Sequence, residues 1–271
     1  MRRRILAIGA ATALALSGLA VPAHAADQAQ LSVLHGVPDL TVDVYVNGER
    51  TLNNFKPGTL AGPLKLDAGT YTVAITASDA KDDSDPAIGP IDLKLTSGKN
   101  YTAVAHLKEN GDPTATLFTN DTSKTDAGQG RLTVRHVAAA PAVDILAGGD
   151  PVVEGLENPD EASLDLDAGT IEAAVAAAGT TDPVIGPADV AIEDGTLTIA
   201  YAWGSLEDDN LKLATQTISG LHSGPGGVHA GEAGLAANGA LPGVLAALVL
   251  GLAGALLVRR SAKPVATRSK S

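Results

Sequence analysis

The chain has 271 residues, of which 45% are apolar but only 3% aromatic, so its length allows one large domain or two ordinary ones with cores of small side chains. It contains no cysteine, which excludes disulfides, thiolate metal sites, iron–sulfur clusters and a cysteine nucleophile. All 31 acidic residues lie within residues 27–240, together with 11 of the 19 basic residues, which gives that region a net charge of −20. Because so acidic a region repels phosphates, we expect no nucleic-acid partner.

The N-terminal segment has the three parts of a secretory signal peptide. Three arginines at residues 2–4 precede an uncharged apolar run from residue 5 to residue 21, and small residues follow around Ala25. We therefore expect residues 1–26 to be a signal peptide, cleaved after Ala25, and the rest of the chain to be exported.

An internal repeat occupies the middle of the chain. Residues 31–35 (Leu-Ser-Val-Leu-His) align with residues 132–136 (Leu-Thr-Val-Arg-His), and residues 85–90 align with residues 182–187. The order of the matching segments is kept while their offset drifts from 101 to 97 residues, which indicates two duplicated domains rather than a solenoid of short units. The same alignment places the alanine-rich residues 173–178 opposite a strand-like segment, so we expect a strand there rather than a helix.

Each copy has the pattern of short β-strands. Apolar and polar residues alternate over residues 42–46, for example, and a turn signal, Asn47-Gly48, follows them. About seven short strands at this spacing predict an immunoglobulin-like antiparallel sandwich. We therefore expect an all-β fold with two tandem immunoglobulin-like β-sandwich domains, residues 27–124 and 125–220, which fold independently.

Residues 31–48 resemble the opening of the domain-of-unknown-function family 4397. Members of that family begin with a strand, a His-Ala-Ser-Pro-Asp-like turn and a Val-Asp-Val-Tyr-Val-Asp-Gly strand. Here the segment reads Leu-Ser-Val-Leu-His-Gly-Val-Pro-Asp-Leu-Thr-Val-Asp-Val-Tyr-Val-Asn-Gly, with Gly36 and Val37 in place of Ala-Ser. In the second copy the turn, residues 137–141, lacks the aspartate. The resemblance covers both copies and implies an exported, often tandem β-domain of an actinobacterial cell surface, with no known activity.

One histidine and one aspartate of the first copy recur in the second. His35 and Asp43 correspond to His136 and Asp144. Histidine with aspartate could support hydrolysis or metal binding, but no Gly-x-Ser-x-Gly nucleophile elbow accompanies them. We therefore expect no catalytic residue here and favour a structural role, in which each His–Asp set ties a strand end to the following loop through hydrogen bonds.

An acidic loop is a weak candidate for Ca²⁺ binding. Asp79, Asp82, Asp83 and Asp85 lie close together in sequence, and carboxylates so placed repel one another unless water or a hard cation separates them. The loop lacks the Asp-x-Asp-x-Asp-Gly order of a calcium loop, so a solvated surface loop is the favoured interpretation. We expect no metal site and no cofactor.

The C-terminal part has the pattern of a membrane anchor. A Gly-rich stalk at residues 221–240 precedes residues 241–258, an uncharged apolar run of spanning length, and a basic tail follows at residues 259–271. Because basic residues remain on the cytoplasmic side, we expect a transmembrane helix with its C-terminus inside the cell.

A sortase sorting signal is the alternative for the same region. Its motif would be Leu235-Ala236-Ala237-Asn238-Gly239, which resembles the Leu-Ala-x-Thr-Gly variant with Asn238 at the threonine position. In that case the protein would be linked to the cell wall rather than retained in the membrane.

These features predict a non-enzymatic module of the cell surface or envelope, exposed outside the membrane. Its expected partners are the membrane, through residues 241–258, and a cell-wall polymer, carbohydrate or protein ligand. Two alternatives remain open from the sequence: a secreted hydrolase that uses the His/Asp pairs, and a Ca²⁺-stabilised surface spacer.

Overall fold

The alternating segments form β-strands in the computed structural model, which describes residues 28–223, all within one compact unit of the chain. The first eight strands of this region are β1 (Ala29–His35), β2 (Val42–Val46), β3 (Glu49–Phe55), β4 (Leu60–Leu66), β5 (Gly69–Ala77), β6 (Ile88–Leu95), β7 (Asn100–Leu107) and β8 (Pro113–Thr119). The second eight are β9 (Gln129–Ala139), β10 (Val143–Ala147), β11 (Asp150–Leu156), β12 (Glu161–Asp167), β13 (Gly169–Ala177), β14 (Pro183–Ile192), β15 (Thr196–Ser205) and β16 (Lys212–Ser219).

The strands form four sheets, paired into two sandwiches of the same topology. In the first sandwich the strand orders are β4-β1-β7-β8 and β3-β2-β5-β6. In the second they are β12-β9-β15-β16 and β11-β10-β13-β14, which is the same order strand for strand. The central pairs β1–β7 and β9–β15 are parallel, and the other pairs are antiparallel.

We expected immunoglobulin-like antiparallel sandwiches; the halves are all-β sandwiches, but their strand order is not that of an immunoglobulin domain and one pair in each is parallel. In an immunoglobulin domain the first strand pairs with the second, whereas here β1 pairs with β4 and, in parallel, with β7. Each half also has eight strands, because residues 60–66 form β4 in spite of Pro63. A proline has no backbone N–H, so it cannot donate to a neighbouring strand. An edge strand tolerates it where that N–H would face the solvent. The alternation of side chains predicts which face of a strand is buried, but not which strand lies beside it.

The fold class also requires correction at the C-terminus, where we expected a transmembrane helix at residues 241–258. The residues that the structure describes form strands, bridges and turns, and none of them forms a helix long and apolar enough to cross a membrane. An apolar run of spanning length specifies hydropathy, not secondary structure. That apolar run lies outside the described residues. The same is true of residues 1–26, of the stalk after its first three residues, of the sorting-like motif at residues 235–239, and of the basic tail.

The two sandwiches share a buried interface. Side chains on both faces of β7, β9 and β15 are buried, so the sheet that contains β7 packs with its outer face against the sheet that contains β9 and β15. An apolar cluster spans the boundary, with the members Leu34, Val104, Phe118, Val137, Leu197, Ile199, Tyr201, Trp203 and Leu221. Separating the sandwiches would expose this cluster to water, which is unfavourable, so the interface argues against the independent folding that the repeat suggested.

Two glycines of the first sandwich make room for Trp203 of the second. A Cβ atom at Gly36 would lie 3.3 Å from the Trp203 Cβ, and a Cβ at Gly58 would lie 2.9 Å from the indole ring. Gly58 also has a φ of +75°, which disfavours any other residue. The tight fit places the indole ring, which is 3% exposed, within the first sandwich's surface.

Arg135 lies at the centre of the interface with its side chain almost fully buried. Its Nε donates to Glu161 at 2.7 Å, and its two terminal nitrogens donate to the Tyr201 hydroxyl at 2.9 Å and to Asn120 Oδ1 at 2.8 Å. The guanidinium also lies 4.3 Å from the centre of the Phe118 ring. A buried charge must be paired and hydrogen-bonded, and residues of both sandwiches supply these partners.

Arg131 fixes the segment between the sandwiches. Its guanidinium forms two bonds to the Asp165 carboxylate, at 2.7 and 2.9 Å, and an ion pair with Asp121 at 2.8 Å. The same guanidinium donates to Ser123 Oγ at 2.8 Å. The connecting segment is therefore held against the second sandwich by charge-assisted hydrogen bonds.

We expect Arg135→Ala to lower the free energy of unfolding by about 3 kcal/mol, because it leaves the polar groups of the interface without their donor. The melting temperature of the full chain should fall by about 6–12 °C in calorimetry. Lys94→Ala, at an exposed position of β6, is the control and should change stability by less than about 0.5 kcal/mol. Equal melting temperatures for the two variants would contradict the central role of Arg135.

Candidate functional site

Each recurrent histidine holds the turn that follows its strand. His35 Nε2 donates to the carbonyl of Leu40 at 2.6 Å, and His136 Nε2 donates to the carbonyl of Pro141 at 3.0 Å. Both carbonyls lie five residues after the histidine, and both imidazoles are 1% exposed. The His35 ring also stacks on Phe55, with 5.8 Å between the ring centres. The two histidines are therefore built into equivalent turns at equivalent ends of the sandwiches.

Each recurrent aspartate accepts a hydrogen bond from a neighbouring strand, at a residue whose backbone φ is positive. Asp43 Oδ1 accepts from the backbone N–H of Asn54 at 2.8 Å, and Asp144 Oδ1 accepts from that of Gly155 at 2.8 Å. Asn54 and Gly155 both have positive φ, +52° and +66°. The second oxygen of Asp43 accepts from Arg50 at 3.0 Å. These bonds compensate the carboxylates for the loss of water.

The structure does not pair either histidine with its aspartate. The hydrogen bonds of His35 and His136 go to carbonyls of their own turns, whereas those of Asp43 and Asp144 go to neighbouring strands and loops. All four side chains are buried, with at most 4% exposed. A substrate therefore has no direct access to these four side chains.

The four aspartates proposed as calcium ligands do not converge. Asp82 Oδ1 accepts from the hydroxyl of Ser84 at 2.6 Å and from its backbone N–H at 3.1 Å. These two bonds lower the pKa of the exposed Asp82 carboxyl. Within residues 28–223 no group of three or more His, Asp or Glu side chains could hold a metal ion.

Two buried residues that form several hydrogen bonds, His106 and Arg135, were not predicted from the sequence to have a role. His106, in β7, bonds to the Leu107 carbonyl at 2.9 Å and accepts from the Thr116 hydroxyl at 2.9 Å; it lies in an apolar strand and gives no signal of its own. Arg135 does give one, because residues 132–220 contain only one other basic residue, Lys212. A lone arginine at an apolar position of the repeat indicates a buried ionic contact.

A polar cleft opens between the sandwiches at one end of their interface. This junction cleft has a volume of about 900 Å³, and its lining comes from both sandwiches and from the segment that connects them. The polar side chains that line it are Gln28, Gln30, Lys65, Asp67, Lys99, Asn100, Thr122 and Ser219. Two contacts order them: Gln28 Nε2 donates to Asp67 at 3.0 Å, and Asn100 Nδ2 donates to Gln30 at 3.4 Å. The volume is within the range of known ligand sites.

A comparison with family models matches residues 29–146 to the Domain of unknown function (DUF4397). The matched region runs from β1 to β10, so it covers the whole first sandwich and the first two strands of the second. The match supports that domain family for this region, in agreement with the resemblance seen in residues 31–48. No protein with a curated description matches the chain.

We expect the protein to lose stability as the pH falls below about 6.5, the ordinary pKa of histidine. Burial lowers the pKa of His35, His106 and His136, because desolvation disfavours the imidazolium, and hydrogen bonds to carbonyls act in the opposite direction. The unfolded chain then binds more protons than the folded chain, so the stabilisation is complete above the unfolded pKa and is lost as the pH falls through the range below it.

Urea unfolding at about pH 7.5 and about pH 5 measures this loss. His106→Gln, which has no titrating ring, should reduce the difference between the two urea midpoints. His222→Gln is the control, because the side chain of His222 is 60% exposed. An unchanged difference in the His106 variant would show that its imidazole does not contribute.

Proposed function

We propose that the chain is a non-enzymatic binding module that holds an uncharged polar ligand, a carbohydrate, in the junction cleft. The observation that carries this proposal is the cleft itself, a large opening lined by side-chain amides, hydroxyls, a carboxylate and two ammonium groups. Sugar hydroxyls both donate and accept hydrogen bonds, and such a set of side chains supplies partners for both roles.

The interface supports the same proposal, because it fixes the two walls of the cleft. Asn100 lines the cleft and also accepts at 2.6 Å from Asn120, whose own oxygen accepts from the buried Arg135. The wall of the first sandwich is thus connected to the interface by hydrogen bonds. A preorganised site loses less conformational entropy when a ligand binds than one that must be ordered.

The non-enzymatic part of the proposal rests on the histidines and aspartates. His35, Asp43, His136 and Asp144 are buried, and their hydrogen bonds fix turns and strands. The junction cleft contains no histidine, and Asp67 is its one carboxylate among the described residues. General acid–base hydrolysis of a glycoside commonly needs a pair of carboxyl groups.

A glycan array probed with the purified full chain tests the ligand class. We expect Gln28→Ala/Lys99→Ala to weaken binding of the retained glycan at least about tenfold, which corresponds to about 1.4 kcal/mol, because one amide and one ammonium are lost from the cleft. The control is Gln129→Ala/Lys94→Ala, since Gln129 bonds to Asp167 in the second sandwich as Gln28 does to Asp67 in the first.

Binding that is equal in the two double variants would place the ligand outside the cleft. An array without any retained glycan would contradict the ligand class. Release of reducing ends from a bound glycan would contradict the non-enzymatic role.

Export is a further part of the proposal, and it rests on the sequence of residues 1–26. A module of this kind meets extracellular polymers only after secretion. N-terminal sequencing of the protein from an exporting host should give Ala26 as the first residue, because the segment that ends at Ala25 has the small residues of a cleavage site. A mature protein that retains residues 2–4 would contradict this.

A further inference from the structure

The second sandwich contains an apolar cavity between its two sheets. Its volume is about 240 Å³, and every side chain that lines it is apolar. Leu132, Val134 and Ala200 contribute from one sheet, and Val175 and Val190 from the other. The cavity shares no residue with the junction cleft.

The first sandwich has a smaller cavity at the corresponding place. Its volume is about 130 Å³. Val73 and Ile91, which are direct partners in the β5–β6 pairing, line this smaller cavity. The corresponding partners in the β13–β14 pairing are Ala173 and Ala188, which line the larger cavity. Two branched side chains of the first copy are thus replaced by alanines in the second, which accounts for the larger cavity.

The larger cavity reaches the surface between two edge strands. Ala188 lies on the edge strand β14 and is exposed, and Leu213 lies on the edge strand β16 of the opposite sheet and is half-buried. In the first sandwich the corresponding edges, β6 and β8, pack against each other. The second sandwich therefore has an opening through which a ligand can enter from the solvent.

The lining determines which ligand the cavity accepts. A polar group inside it would lose its hydrogen bonds to water without replacement, which is costly, whereas a hydrocarbon group gains by leaving water. A dry apolar cavity of about 150 Å³ is known to be enough to bind benzene. We propose that the interior of the second sandwich binds an uncharged hydrocarbon group, either a free small molecule or the alkyl chain of an amphiphile, which enters between β14 and β16.

Thermal unfolding of the full chain with benzene and with 1-decanol tests the proposal and distinguishes the two sources of the hydrocarbon group. We expect at least one probe to raise the melting temperature saturably, by about 3–6 °C at about ten times its dissociation constant. Benzene represents the free small molecule and decanol the alkyl chain. Methyl NMR should show the largest shifts at Ile185, Val190 and Leu213, which line the cavity.

The decisive variant restores the side chains of the first copy, Ala173→Val/Ala188→Ile. It should weaken binding of the probe at least tenfold and should raise the melting temperature without ligand, because the added carbons fill the cavity and suit a strand. The matched control, Ala177→Val/Ala191→Ile, adds the same groups at exposed positions of the same strands and should bind as the original chain does.

Should the double variant fail to fold, Ala188→Val alone gives the same test at an exposed residue of an edge strand. No saturable shift with either probe would overturn the proposal. It would equally be overturned if the probe bound the filled variant and the original chain alike.

Discussion

The burial of one positive charge, on Arg135, constrains the arrangement of the two sandwiches. A guanidinium so deeply buried is tolerated only where its donors have partners, and those partners are Glu161, Tyr201 and Asn120. Asn120 follows the last strand of the first sandwich, so the charge of one sandwich is satisfied partly by the other. Any movement of the sandwiches relative to each other would break these bonds and expose the apolar cluster beside them.

The duplicated sandwiches have diverged where they meet. In the parallel pair of the first sandwich Leu34 lies beside Val104, whereas in the second sandwich Arg135 lies beside Tyr201 at the equivalent positions. Two apolar side chains of one copy thus correspond to a buried cation and its hydroxyl partner in the other. The interface between the copies is therefore asymmetric, since the buried cation comes from the second sandwich alone.

The scarcity of aromatic residues has consequences for the interior. Cores built from alanine and valine leave space wherever two small side chains face each other, as Ala173 and Ala188 do. Protein interiors are otherwise close-packed, and residual space costs stability. Rigidity in this protein therefore depends on the interface and on the hydrogen bonds of the buried polar residues, in addition to the packing of each sandwich.

The sequence by itself determined the all-β class, the repeat, and the positions of most strands, because side-chain alternation and turn residues act locally. At residues 173–178 the repeat predicted the structure better than the alanine-rich composition did, because most of these residues belong to β13. Strand order was decided only by the tertiary structure, since alternation does not specify a neighbour. The partners of Arg135, the junction cleft and the apolar cavity likewise depend on residues distant in sequence, which only the folded chain brings together.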